Sequence, residues 1–166
     1  MSRSFSTSQH YLVGPAQTFA MMCDAAYLDY VVSGSGGVDA TIEVVQESGR
    51  WHLTLDRTLP AEVPSFARAI VGEHVVVRES RVWEAESADG PRVGSLRVTF
   101  DGAPVEITGD LTLAADDDSA SLFRASGRVK ASIPLIGGKV EEFARDQLLR
   151  FTAREEELAA AWLARR

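Results

Sequence analysis

The sequence predicts an α+β protein, a curved antiparallel sheet of about seven strands wrapped on a long C-terminal helix, with two short helices after the first strand. Three observations predict it. After Pro134 the apolar residues recur at helical spacing, and between Val38 and Ile133 they alternate with a period of two. Ahead of Ser33-Gly34-Ser35-Gly36-Gly37, a short apolar strand is followed by Gly14-Pro15 and two brief helical patterns.

The elements follow in order. Phe5 to Val13 reads as a strand, and Pro15 opens a helix because its missing N–H would have no helical partner there. Ala16 to Met22 is that helix; a break near Cys23 follows, with Asp24 placed to cap a second helix over Ala25 to Val32. Ile42 and Val44 lead to a turn at Glu47-Ser48-Gly49, and Trp51, Leu53 and Leu55 alternate with His52, Thr54 and Asp56, which is a hairpin with one buried face. Pro60 and Pro64 interrupt the pattern, leaving Ala61 to Val71 as a short helix or a lid-like loop. Strands are predicted over Glu73–Glu84, Arg92–Phe100, Val105–Ala115 and Ala120–Ile133, separated by turn sequences, in an antiparallel meander. Val140, Ala144, Leu148, Phe151, Leu158 and Trp162 then mark one helix of about 27 residues, roughly 40 Å long. Its other face, with Glu141, Arg145, Arg154, Glu155 and Glu156, is expected in water.

Composition narrows the function classes. The chain has 166 residues, 45% of them hydrophobic, consistent with one domain over residues 1–166. A chain of this size buries roughly 70% of its unfolded surface, enough for a core with a cavity and no need of metal or disulfide. Cys23 is the one cysteine, so neither a disulfide framework nor a four-thiolate metal site is available. With 17 basic against 24 acidic residues the net charge is −7, which argues against a nucleic-acid partner. No apolar run reaches the roughly 20 residues of a membrane span, and the first residues lack a signal-peptide core, so no integral membrane association and a cytoplasmic location are expected.

The short motifs have structural explanations. His10, His52 and His74 lack metal-ligand spacing and read as surface residues; Cys23 has no basic sequence neighbour and reads as a packed, inert thiol. Asp116-Asp117-Asp118 lacks the alternating ligands and glycine of a calcium loop and reads as a hairpin turn. Gly34-Ser35-Gly36-Gly37 follows a helix where a dinucleotide motif would follow a strand, and Gly137-Gly138-Lys139 lacks the rest of a phosphate loop. No cofactor, metal or catalytic residue is assigned.

This order of elements resembles the helix-grip fold of the START-like (SRPBCC) superfamily, which includes lipid-transfer domains, polyketide cyclases and the birch-pollen allergen. Gly102-Ala103-Pro104-Val105, Ile107-Thr108-Gly109 and Ile133-Pro134-Leu135-Ile136-Gly137-Gly138-Lys139-Val140-Glu141 are similar to an actinobacterial domain family of unknown function within it. The resemblance implies a cavity between sheet and long helix that accepts a small hydrophobic ligand, lipid-like or polyketide-like, bound without catalysis. A cyclase or hydrolase using a cavity carboxylate, and an interaction module with a filled core, are the rival readings.

Alternation supplies the wall candidates: Trp51, Leu53, Val98, Phe100, Ile107, Leu111 and Phe123 from the sheet, facing Phe143 and Phe151 of the helix. Gly109, Ala125 and Gly127 on the same face signal open space or a bend in the sheet. Strand Glu73–Glu84 admits two phases. One points Val75, Val77, Glu79, Arg81 and Trp83 inward, giving the cavity a polar end; the other buries Val76 and Val82 and leaves Glu79 and Arg81 solvated, the phase favoured by the cost of burying charge. Glu79, Arg81 and Tyr27 are the candidates to orient a headgroup, and Pro60–Gly72 is a candidate entrance flap.

Overall fold

The computed structural model describes residues 1–165. Among them, seven antiparallel strands form one curved open sheet: β1 (Arg3–Tyr11), β2 (Val38–Glu47), β3 (Arg50–Pro60), β4 (His74–Trp83), β5 (Arg92–Phe100), β6 (Ala103–Ala115) and β7 (Ser121–Ala131). Their spatial order is β1-β7-β6-β5-β4-β3-β2, so the first strand closes on the last and the meander runs back to β2. The helices α1 (Pro15–Met22) and α2 (Ala25–Gly34) carry the chain from one sheet edge to the other. After α3 (Ser65–Val71) in the β3–β4 connection, the chain ends in α4 (Gly137–Ala164), 28 residues long. This is the helix-grip architecture the sequence predicts.

Local chemistry sets the boundaries. Pro15 is the first residue of α1, and the Asp24 carboxylate accepts the Ala26 N–H at 2.9 Å, capping α2. Ser48 and Gly49 both have positive φ (53° and 81°), the backbone of a two-residue turn whose twist matches the β2–β3 hairpin. Gly109 and Gly127 are register partners on β6 and β7. A Cβ on Gly109 would meet the Ser126 carbonyl oxygen at 2.7 Å, and one on Gly127 would collide with the Thr108 carbonyl. These glycines therefore mark a tight bend in the sheet and not open space.

Helix α4 packs chiefly on β1 and β7, with α2 along its C-terminal half. Two polar ties fix it there. The His10 N–H donates to Glu156 Oε2 at 2.7 Å, and Arg154 Nε donates to the Gly34 carbonyl at 3.2 Å. Gly34 allows close approach, since its missing Cβ would press on the Leu158 side chain.

Strand β4 adopts the first of its two phases. Val77 and Trp83 are buried, while Arg78 and Ser80 face out, so Glu79 and Arg81 point to the concave side, where the solvated phase is overturned. The reason is on the neighbouring strand: Arg57 of β3 also points inward, supplying a counter-charge that makes burial of the carboxylate tolerable. Helix α4 also differs from expectation at two positions. Glu141 is 2% exposed and accepts the Ala131 N–H at 3.1 Å, closing the end of β7, and Glu155 lies on the buried stripe.

Candidate functional site

The space between sheet and α4 has two ends of different character. Toward the α1 end it is solid. Trp83, fully buried, meets the edge of Phe19 at a ring-centroid distance of 5.7 Å and lies 5.9 Å from Phe123; Phe19 also meets Trp51 at 5.9 Å, and Arg92 stacks on the outer face of Phe19 at 3.7 Å. Tyr27 is 1% exposed, packed edge-on to Trp162 at 5.7 Å. Toward the α3 end the packing opens into a cavity of about 510 Å³, within the range of pockets that enclose small organic ligands.

Of the residues predicted to line the cavity, Glu79, Arg81, Val98, Phe100, Ile107, Leu111, Phe123, Phe143 and Phe151 do so. Tyr27, Trp51, Leu53 and Trp83 do not; they belong to the filled end. The physical reason is depth. Alternation fixes which face a side chain takes, and here the bulkiest aromatics occupy one end of that face against α1 and α2, leaving smaller side chains to surround the space. Pro60, Ala61, Glu62, Val63, Ala67 and Val71 line the cavity from the β3–β4 connection, so the segment expected to form the entrance does border it.

Besides Glu62, which is exposed on the β3–β4 connection, four ionisable side chains project into this apolar chamber. Arg57, Glu79, Arg81 and Glu155 retain 13%, 13%, 14% and 17% of their side-chain surface. Register explains the contact: Glu79 pairs with Leu55 across the β3–β4 ladder and Arg57 with Val77, so Arg57 and Glu79 are diagonal neighbours on one face. Arg81 Nε lies 2.9 Å from Glu79 Oε2, Arg57 Nη2 lies 3.6 Å from Glu79 Oε1, and Arg81 Nη2 lies 4.0 Å from Glu155 Oε2. Gln9, 2% exposed on β1, donates to the Thr152 carbonyl at 3.0 Å and stands beside Glu155, where its amide favours the charged carboxylate.

The electrostatics separates the two carboxyl groups. Burial works against a charge on Glu79, yet the guanidiniums of Arg81 and Arg57 outweigh it and hold that carboxyl below the ordinary carboxylate range. At Glu155 burial dominates; Arg81 offsets part of it while Glu79 adds repulsion, and its carboxyl is pushed up. Burial and the Glu155 charge raise the phenols of Tyr11 and Tyr27 far above their usual range, so both stay protonated, with hydroxyls that are buried and without hydrogen-bond partners. Arg57 Nη1 and Arg81 Nε are likewise buried without a hydrogen-bond partner, Arg81 Nε despite its 2.9 Å approach to Glu79.

Arg57, Glu155, Gln9 and Tyr11 lie outside the residues singled out from the sequence. The first two carried a readable signal. Arg57 is the next member of the inward series Trp51, Leu53, Leu55, and Glu155 falls four residues after Phe151 and three before Leu158, on the apolar stripe itself. Burial pushes the Cys23 thiol up to about 11, keeping it protonated. His10 and Asp116 meet at the surface at 2.8 Å. No group of metal-binding side chains occurs among the described residues, and no helix there is long and apolar enough to cross a membrane.

Comparison with known proteins agrees with this geometry. Residues 6–163 match the family described as "Protein of unknown function (DUF2505)". An uncharacterized protein of Mycobacterium tuberculosis (strain ATCC 25618 / H37Rv) is 26% identical over 163 residues, covering 97% of this chain and 87% of the relative. Among solved structures, a START superfamily protein from Mycobacterium smegmatis superimposes with a TM-score of 0.63 at 13% identity, covering 98% of this chain and 99% of that one. The Zhui aromatase/cyclase from Streptomyces sp. R1128 gives 0.60 at 13% identity, covering 100% and 96%, and norcoclaurine synthase from Thalictrum flavum 0.57 at 10%, covering 95% and 86%. At these identities the likeness is one of fold.

Proposed function

The chain belongs to the DUF2505 family, and for this member we propose reversible, non-catalytic binding of one small hydrophobic molecule, lipid-like or polyketide-like, between the sheet and α4. The observation that carries the reading is a cavity of about 510 Å³ walled largely by aliphatic and aromatic side chains, with its buried charged groups, Arg57, Glu79, Arg81 and Glu155, in one contacting row. Apolar burial supplies affinity at about 25 cal/mol per Å², less the cost of immobilising the ligand. The polar row fixes orientation. Two hydroxyls lining the cavity are engaged by the backbone, Thr152 Oγ1 donating to Leu148 O at 2.9 Å and Thr7 Oγ1 to Ala125 O at 3.4 Å, which favours holding over nucleophilic chemistry. Native mass spectrometry of gently purified protein, with displacement of an environment-sensitive dye as a second readout, tests the reading. A co-purifying hydrophobic molecule, or saturable dye binding displaced by lipids, is expected; a ligand-free protein that binds no dye overturns it.

A second reading rests on Glu155. A buried carboxyl with a raised pKa beside a cationic partner is suited to act as a general acid, and two of the solved proteins sharing the fold are named as an aromatase/cyclase and a synthase. Under this reading Glu155→Gln abolishes turnover of a cavity-bound polyketide-like substrate while leaving its affinity intact. Under the binding reading no such substrate is converted by either protein.

A further inference from the structure

We infer that the molecule held in the cavity is a monoanionic amphiphile, a carboxylic acid with an apolar body, whose carboxylate docks on Arg57 Nη1. This rests on the cavity-binding reading above and adds the chemistry of the ligand's head.

The polar row is unbalanced on one side. Glu79 is shared between Arg81 at 2.9 Å and Arg57 at 3.6 Å, so its closer approach is to Arg81 and Arg57 is the more distant cation. The second carboxyl, Glu155, approaches Arg81 and not Arg57, and its buried position favours the neutral acid. Within the row two guanidiniums thus share one carboxylate, Glu79, while Glu155 stands 4.0 Å from Arg81, in a chamber that screens charge poorly. Arg57 Nη1 and Arg81 Nε are both buried without a hydrogen-bond partner, and because Arg81 Nε already lies 2.9 Å from Glu79 Oε2, Arg57 Nη1 is the donor left for a ligand. A buried donor left unpaired is costly, the more so when charged, and a planar guanidinium fits a carboxylate closely. The surroundings supply the rest of an amphiphile's needs. Leu55 and Leu59 flank Arg57 on β3, Val75 and Val77 stand across the ladder, and all four line the cavity. One unpartnered guanidinium donor beside carboxylates already in place matches a singly charged carboxylate better than a phosphate dianion, which those carboxylates would repel.

The test compares ligands that differ only in the head. A fatty acid and a fused-ring aromatic carboxylic acid, each beside its methyl ester, are titrated by dye displacement at neutral pH into the wild-type protein and into Arg57→Met. Each acid that fits is expected to bind the wild type about tenfold or more tighter than its ester, with that preference lost in Arg57→Met while ester affinity is kept. The two series separate an alkyl from an aromatic source of the carboxylate. Esters binding as tightly as acids overturn the inference and leave the cavity reading standing. An acid preference that survives Arg57→Met overturns the assignment to Arg57, and binding of neither acids nor esters overturns the cavity reading as well. The wild-type comparison needs no variant, so a folding defect in Arg57→Met does not remove the test.

Discussion

Glu79 and Arg81 stand two residues apart on β4 with carboxylate and guanidinium 2.9 Å apart on the concave face, an ion pair made inside the fold and not on its surface. Breaking such a pair from one side leaves the other charge uncompensated, which costs about 3–5 kcal/mol. Glu79→Leu would strand two guanidiniums, Arg81 and Arg57. Urea unfolding of this variant is expected to show a loss of that size, and Glu79→Leu combined with Arg81→Leu is expected to lose less than the two single losses summed. A loss below about 0.5 kcal/mol, the surface value, would place the pair in solvent.

The two carboxyls pull stability in opposite directions as pH changes. Glu155 has a raised pKa in the folded chain, so its favourable contribution is present in acid and is lost as pH rises through that raised value; Glu79 has a lowered one, so its contribution is present at neutral pH and is lost as pH falls through it. Thermal melts should therefore show Glu155→Gln stabilised relative to wild type at about pH 8, with the gain shrinking toward about pH 4. Glu79→Gln should show the reverse, a deficit at neutral pH that narrows in acid. The groups facing this row are Arg57, Arg81, Gln9, Tyr11 and Tyr27, of which both tyrosines stay protonated throughout that range.

Filling the open end and emptying the solid end should have contrasting effects. Val98 lines the cavity, and Val98→Trp has space to enter; thermal stability is expected to hold within about 1 kcal/mol while dye and ligand binding disappear. Trp83 touches Phe19 and Phe123 with no accessible surface, and Trp83→Ala is expected to cost about 3–5 kcal/mol. If Val98→Trp destabilises as much as Trp83→Ala, the space beside Val98 is not open.

Most of the architecture was legible because period is a local property. The alternation through Trp51, Leu53 and Leu55 and the three-four spacing from Val140 to Trp162 each follow from one element burying one face. What alternation does not carry is depth along the strand, and so Trp51 and Trp83 read as cavity walls although α1, through Phe19, fills their end of the groove. Charge misled in the other direction. Glu155 sits on the apolar stripe of α4, but a carboxylate is ordinarily solvated, and only its neighbours on β1 and β4, Gln9 and Arg81, make its burial tolerable. Those neighbours are more than seventy residues distant in the chain, a relationship that the register of the sheet creates and that no short window of sequence contains. Gly109 and Gly127 are the intermediate case: the pair was visible as small residues on a bulky face, and the choice between space and curvature needed their pairing across β6 and β7.

That pairing can be tested directly. Gly127 faces Gly109 across the ladder, and a methyl group on Gly127 would be driven against the Thr108 carbonyl and the Gly109 Cα, both of them backbone and unable to swing aside. Relief requires flattening the sheet where it turns over Phe5, whose ring would lie 3.2 Å from a Cβ on Gly109. Gly127→Ala is therefore expected to cost at least the upper end of the ~1–3 kcal/mol typical of overpacking, outweighing the gain that replacing a strand glycine usually brings. Chemical denaturation checks the loss. Because the bend also sets the spacing between β7 and α4, the same variant should weaken dye binding in the cavity even under conditions where the protein remains folded, whereas Gly102→Asn, a substitution at a positive-φ turn position with nothing within 4 Å, should leave binding unchanged.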